Sequence, residues 1–158
     1  MTLQSIKSKQ LQLLIEDNFL VAKHCRKTME TISEVSLRYY FQKLAAKRSQ
    51  FAMELGSQLN SLGGKNPYVP TSTFEKRWSD ISEENKLKNV RRCLKLYKFS
   101  IKKYKKALSH INDGCCREIL IRHKAHFATI VTELKALKQI LKEKQEKATG
   151  QGSHAEIE

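Results

Sequence analysis

Apolar residues recur every three or four positions along nearly the whole chain, the spacing of one helical face. The first row is Leu11, Leu14, Val21, Cys25 and Met29, with Asn18 in the same line, and predicts a helix over residues 6–30. The second is Leu37, Phe41, Leu44, Arg48, Phe51, Leu55 and Leu62, and predicts a helix over 35–62. Ser33 sits where an N-cap would accept from the open amides of that helix's first turn. The third row, Leu87, Val90, Leu94, Tyr97, Ile101, Tyr104, Leu108 and Ile111, alternates steps of three and four. It is a heptad-like seam and predicts a helix over 83–111. The fourth, Leu120, His123, Phe127, Ile130, Leu134, Leu137 and Leu141, predicts a helix over 115–144.

Punctuation separates these rows. Gly63-Gly64 ends the second helix, Ser82 followed by Glu83 and Glu84 starts the third, and Asn112-Asp113-Gly114 stops it. The stretch 63–82 holds Pro67, Pro70 and the only tryptophan, Trp78. It is long enough to run the length of a bundle, with a short helix near Phe74–Asp80. Residues 148–158 are small and polar and are expected to form a disordered tail, leaving one helical domain over 1–147. Two short-turn antiparallel hairpins joined by a long crossover make an all-α, ferritin-like four-helix bundle. A plain up-down bundle and a dimeric helical assembly stay open as alternatives, and a homodimer is one expected partner state.

Composition adds limits. No apolar run approaches the ~20 residues needed to span a bilayer, and the N-terminus has no apolar signal core, so the expected location is the cytoplasm. Cys25, Cys93, Cys115 and Cys116 match no structural zinc spacing and are expected as reduced thiols. No Gly-rich phosphate loop, nucleophile elbow or Ser–His–Asp arrangement is present, so no enzyme is expected.

The run Phe41-Gln42-Lys43-Leu44-Ala45-Ala46-Lys47-Arg48-Ser49-Gln50-Phe51-Ala52-Met53-Glu54-Leu55, then Leu62-Gly63-Gly64, resembles the second helix of a bacterial ferritin-like family of unknown function. Trp78 and Tyr104-Lys105-Lys106-Ala107-Leu108 fit the same resemblance, which covers roughly Leu14 to Leu137. It implies the ferritin-like fold and a structural or interaction role linked to stress. The family's usual metal-site positions are replaced here. Its Gly-Glu pair, the Glu seven residues before the tyrosine, falls on Leu96 and Tyr97; its histidine six residues before a leucine falls on Val131.

A di-iron bundle needs several inward carboxylates and histidines to balance two cations in a low-dielectric interior. At 100° per residue the inward polar positions are Asn18, Arg48, Tyr97 and His123, none a carboxylate. They predict a buried polar layer, with Arg48 satisfied by carbonyls, by Asn18 or by a tyrosine hydroxyl. No metal or other cofactor is expected. The grouping that competes with this reading is a degenerate metal site at His123, His126 and Glu133.

The net charge is +14, and its distribution is uneven. Between Asn85 and Asn112 the basic residues are Lys86, Lys88, Arg91, Arg92, Lys95, Lys98, Lys102, Lys103, Lys105 and Lys106, with no Asp or Glu among them. Most lie opposite the apolar seam. Such a face suits a polyanion: nucleic acid, an anionic surface or an acidic partner. The competing reading is a solvated face paired with acids on the first or fourth helix. Aromatic interleaving is limited to Phe99 on that side, so the sequence pattern alone gives stacking of single strands little support. Cys115-Cys116 opens the fourth helix, where free amides and the dipole can lower a thiol pKa and give a redox-sensitive pair; the favoured reading is that the two simply occupy the first turn. The leading expectation is a non-enzymatic structural or interaction bundle. Polyanion binding through the third helix and degenerate metal binding are the alternatives.

Overall fold

The computed structural model describes residues 2–63 and 86–157, with side chains through residue 148. Four helices follow in order: α1 (Leu3–Thr31), α2 (Val35–Ser61), α3 (Lys86–His110) and α4 (Gly114–Ile157). The expected short helix near Trp78 and the Ser82-Glu83-Glu84 start lie outside the described residues.

Cross-helix contacts fix the topology. Gln4 reaches the carbonyl of Leu62, and Arg26 donates to Ser49, so α1 and α2 are antiparallel. Lys7 pairs with Asp113 and Lys103 with Asp17, so α1 and α3 are antiparallel too. Tyr40 with Glu133 and Arg122 with Glu54 align α2 against α4 in the same way. Tyr104 with His123 and Arg117 with the Leu108 carbonyl do so for α3 and α4. Each helix therefore runs against two neighbours. α2 ends beside Gln4, whereas α3 begins where Lys86 meets Glu34, at the far end. The chain leaves one end of the bundle and re-enters at the other, so two hairpins are joined by a crossover, as the ferritin-like plan requires.

The helix ends show what the sequence pattern did and did not carry. Thr2 caps α1, its Oγ1 accepting from the Ser5 amide at 3.1 Å. The N-cap of α2 is Glu34 and not Ser33, and it makes no side-chain capping bond. Gly63 ends α2 at φ +79, a left-handed conformation that costs a β-carbon about 1–2 kcal/mol. Nothing lies within 4 Å of where that β-carbon would sit. Gly63→Ala should therefore cost about 1 kcal/mol from backbone strain alone, read as a lowered urea midpoint; an unchanged midpoint would remove this account of the turn.

The α3–α4 turn is held more firmly. Asp113 Oδ2 accepts from the Cys116 amide at 3.3 Å and from Lys7 at 3.0 Å, and Lys7 holds its carboxyl below the usual range. The Arg117 guanidinium donates to the carbonyls of Leu108 and Ile111, two acceptors that the end of α3 leaves open. α4 runs on to Ile157, through residues 148–157 of the segment expected as a tail. No proline after Pro70 interrupts it.

The core is continuous, from Leu11, Leu14 and Ile15 on α1 through Phe41, Phe51 and Leu55 on α2 to Tyr97 and Tyr104 on α3 and Phe127 and Leu134 on α4. Each such side chain contributes about 1.5–3 kcal/mol by leaving water. At mid-bundle the packing is aromatic: the Tyr104 and Phe127 rings meet edge to face with centroids 4.8 Å apart.

Candidate functional site

The middle of the bundle holds polar groups that the apolar core must accommodate. Asn18, Arg48, Tyr97 and His123 are all fully buried. They do not form one layer; they fall into two networks, with Tyr97 outside both.

The first centres on Asp17. Arg48 Nη2 donates to Asp17 Oδ2 at 2.9 Å and to Ser100 Oγ at 2.8 Å, and Ser100 donates to the same carboxylate at 2.6 Å. Lys103 reaches the other oxygen, Oδ1, at 2.9 Å. This corrects two expectations. A carboxylate does face inward, and Arg48 is paired with it rather than with Asn18, a carbonyl or a tyrosine hydroxyl. The guanidinium also lies over the rings of Phe127 and Tyr97, 4.0 and 4.9 Å from their centroids. A buried guanidinium requires such company, because an unpaired buried charge costs several kcal/mol.

The second network runs outward from the core. Asn18 donates to the Tyr104 hydroxyl at 2.8 Å and to the Leu14 carbonyl at 2.9 Å. Tyr104 meets His123 Nδ1 at 2.9 Å, and His123 Nε2 meets Glu54 Oε1 at 3.2 Å. Arg122 then clamps Glu54 at the surface, with contacts of 3.1 and 2.7 Å. Arg122 first, with His123 assisting, holds the Glu54 carboxyl below its ordinary range. Burial lowers His123 to about 4, against the pull of Glu54. The Phe51 ring stacks on that imidazole at 3.7 Å. Burial pushes the Tyr97 and Tyr104 hydroxyls up.

These donors do not fit a di-iron centre. The carboxylates of the two networks, Asp17 and Glu54, each already meet an arginine, and the buried Arg48 guanidinium adds a positive charge that opposes a metal cation. His123, His126 and Glu133 do not converge. His123 is taken by Tyr104 and Glu54, His126 sits edge-on to Phe51, and Glu133 accepts from Tyr40 at 3.0 Å. Among the described residues no three His, Cys, Asp or Glu side chains group to hold a metal ion.

The cysteines separate by environment. Cys115 is exposed and Cys116 is buried. Burial raises the Cys116 thiol, opposite to the lowering expected at a helix start. Cys25 and Cys93 face each other in the α1–α3 seam, where their mutual hydrogen bond and then burial hold the Cys93 thiol well up.

The outer side of α3 is cationic along its length. Lys88, Arg91, Lys95, Lys98, Lys102, Lys105 and Lys106 are exposed, and Arg92 is half-buried. Lys103 reaches Asp17 on α1, so one part of the expected pairing with acids on a neighbouring helix is present. Phe99 stands exposed on this face, with the Lys102 and Lys95 ammonium groups 5.7 and 6.0 Å from its ring centre.

No family model matches the chain, and no curated protein matches it either. Solved structures do. The Dps protein from Vibrio cholerae O1, described as a member of a broad superfamily of ferritin-like diiron-carboxylate proteins, superposes with a TM-score of 0.72. It is 11% identical, over 86% of this chain and 91% of that one. A mutant of Dps1 from Mycobacterium smegmatis gives a TM-score of 0.65 at 18% identity, over 86% of this chain and 94% of that one. The fold is therefore the ferritin-like four-helix bundle that the pattern and the resemblance implied. No described helix is long and apolar enough to cross a membrane.

Proposed function

We propose that this chain is a ferritin-like bundle working as a binding module and not as a di-iron oxidase, with the outer face of α3 as its surface for a polyanion, nucleic acid above all. The carrying observation is the exposed row from Lys88 to Lys106 on a helix that has no acidic residue of its own. Neighbours on a helix face lie about 5–6 Å apart, close enough for successive cations to meet successive phosphates. The donor set of the core supports the other half of the reading. A ferritin-like oxidase would need carboxylates free for metal, whereas Asp17 and Glu54 are committed to Arg48 and Arg122. The family resemblance implies an interaction role without naming the partner; the polyanion comes from the charge of α3, and no catalytic residue is assigned.

Binding to mixed-sequence duplex DNA, followed by fluorescence anisotropy between ~0.05 and ~0.2 M salt, tests the surface. A steep loss of affinity with salt is expected. Lys95→Glu, Lys98→Glu and Lys102→Glu together should abolish most of the binding and lower the salt slope by about three, one per lost phosphate contact. Affinity that is flat with salt, or untouched by the triple reversal, would exclude the α3 face as the binding surface.

A further inference from the structure

Along the seam between α1 and α3 runs an open groove of about 550 Å³, lined by Leu20, Leu96 and Phe99 with Arg92, Lys95 and Lys103 around them and Asp17 at its floor. We propose that this groove binds single-stranded nucleic acid, one base stacking on Phe99 while the adjoining phosphates meet Lys95 and Lys102. The proposal rests on the polyanion reading and narrows it to one form of the ligand.

Two features favour a single strand over a duplex, and a third leaves the groove open to a phosphate. Phe99 is 43% exposed in the midst of a cationic helix, although a phenylalanine there is not needed for the core. A rigid duplex keeps its bases stacked inside and would meet only the lysine tips, leaving the apolar side of the groove unused. A single strand can turn a base into it, and base–aromatic stacking is tolerant of sequence because every base has a π-face. The second feature is the position of Lys95 and Lys102, whose ammonium groups already lie 6.0 and 5.7 Å from the ring centre. An exposed cation–π contact is weaker than base stacking. A base can therefore displace one lysine, and that ammonium then becomes available to the phosphate beside it. The third is the state of Asp17. Its two oxygens are engaged by Arg48, Ser100 and Lys103, so the acid at the floor does not present an uncompensated charge to an incoming phosphate.

The test uses fluorescently labelled oligothymidylate of ~20 nucleotides and a duplex of the same length, at ~0.05 M salt, with the full chain. Phe99→Leu keeps an apolar side chain of similar reach and good helix propensity but removes the π-face. It should weaken the single strand about tenfold and leave the duplex within about twofold. In Phe99→Trp, single-strand affinity should be kept and indole emission quenched on binding, beyond any change that Trp78 alone shows in wild type. Phe99→Leu acting equally on both ligands, or on neither, overturns the groove while leaving polyanion binding standing. Failure of both ligands to bind wild-type protein overturns the polyanion reading and the groove with it. Matching far-ultraviolet spectra and thermal midpoints of the variants would exclude misfolding as the cause.

Discussion

Asp17→Ala is expected to destabilise the bundle by about 3–5 kcal/mol, the range for stranding one partner of a buried ion pair. The expected loss exceeds that of Arg48→Ala, for a reason visible in the contacts. With Arg48 gone, Asp17 would keep Ser100 and Lys103. With Asp17 gone, Arg48 would keep only Ser100 and the two aromatic faces. Arginine side chains hold their charge in proteins, whereas a carboxyl can take up a proton, so the stranded guanidinium has no cheap escape. Replacing both together, as Asp17→Leu with Arg48→Met, should recover most of the loss, because apolar groups of similar volume often match or exceed a buried pair. Urea unfolding of wild type, Asp17→Leu, Arg48→Met and the double variant gives the coupling. Independent, additive effects of the two substitutions would show that the pair does not act as a unit.

Acidification should be the other large effect. His24 is buried, and its pKa is lowered to about 3, by burial first and then by the Arg92 charge, against a backbone hydrogen bond at Asn89. His123 is buried and lowered to about 4. Both have an ordinary value of 6.5. Below that value the unfolded chain takes up protons that the folded rings refuse. Stability is therefore whole above about pH 6.5 and is lost as pH falls, until each folded pKa is reached. Each ring contributes about 1.4 kcal/mol per pH unit in that window, so the pair gives about 3 kcal/mol per unit between roughly pH 6 and pH 4. Glu54, held low chiefly by Arg122, adds a loss of the same sign as pH falls below its ordinary value of 4.5. Urea midpoints at about pH 7, 6 and 5 measure the slope, and His24→Leu should halve it. A midpoint constant over that range would mean that neither ring is held neutral by burial.

The helices and their connection were legible because the α3 seam keeps its spacing for eight positions and because glycine, proline and Asn-Asp-Gly mark the breaks. Asn18, Arg48, Tyr97 and His123 were legible for the same reason, since each lies in a row of apolar neighbours. Asp17 lies outside the most apolar row of α1, so that row does not mark it. That helix packs on both α2 and α3, so a second row is buried: Gln10, Leu14, Asp17, Val21, His24 and Thr28, again stepping by four and three. Its counterpart on α3 is Asn89, Cys93, Leu96, Ser100, Lys103 and Ala107, buried except for the half-buried Leu96 and the exposed Lys103. The regular spacing of these polar residues was the available signal. The Ser33 cap failed because the chain enters α2 one residue later. The Glu54–His123 contact was not legible, since it depends on the level at which α2 and α4 meet. The cationic face was visible as charge, but the groove beside Phe99 exists only once α1 lies against α3.

The division of these contacts between the two hairpins bears on the order of folding. Arg48 and Asp17 belong to the first hairpin, Ser100 and Lys103 to the second, and the Asn18–Tyr104–His123–Glu54 chain crosses between hairpins twice. Each hairpin joins helices close in sequence and can form early, while the bonds between hairpins wait until the crossover lets them dock. Those bonds are then mostly absent from the transition state, and they act as a latch on the finished molecule. Stopped-flow measurements on Ser100→Ala should accordingly show its loss of stability as faster unfolding, with the refolding rate close to that of wild type. Slowed refolding would instead place the docked polar contacts in the nucleus.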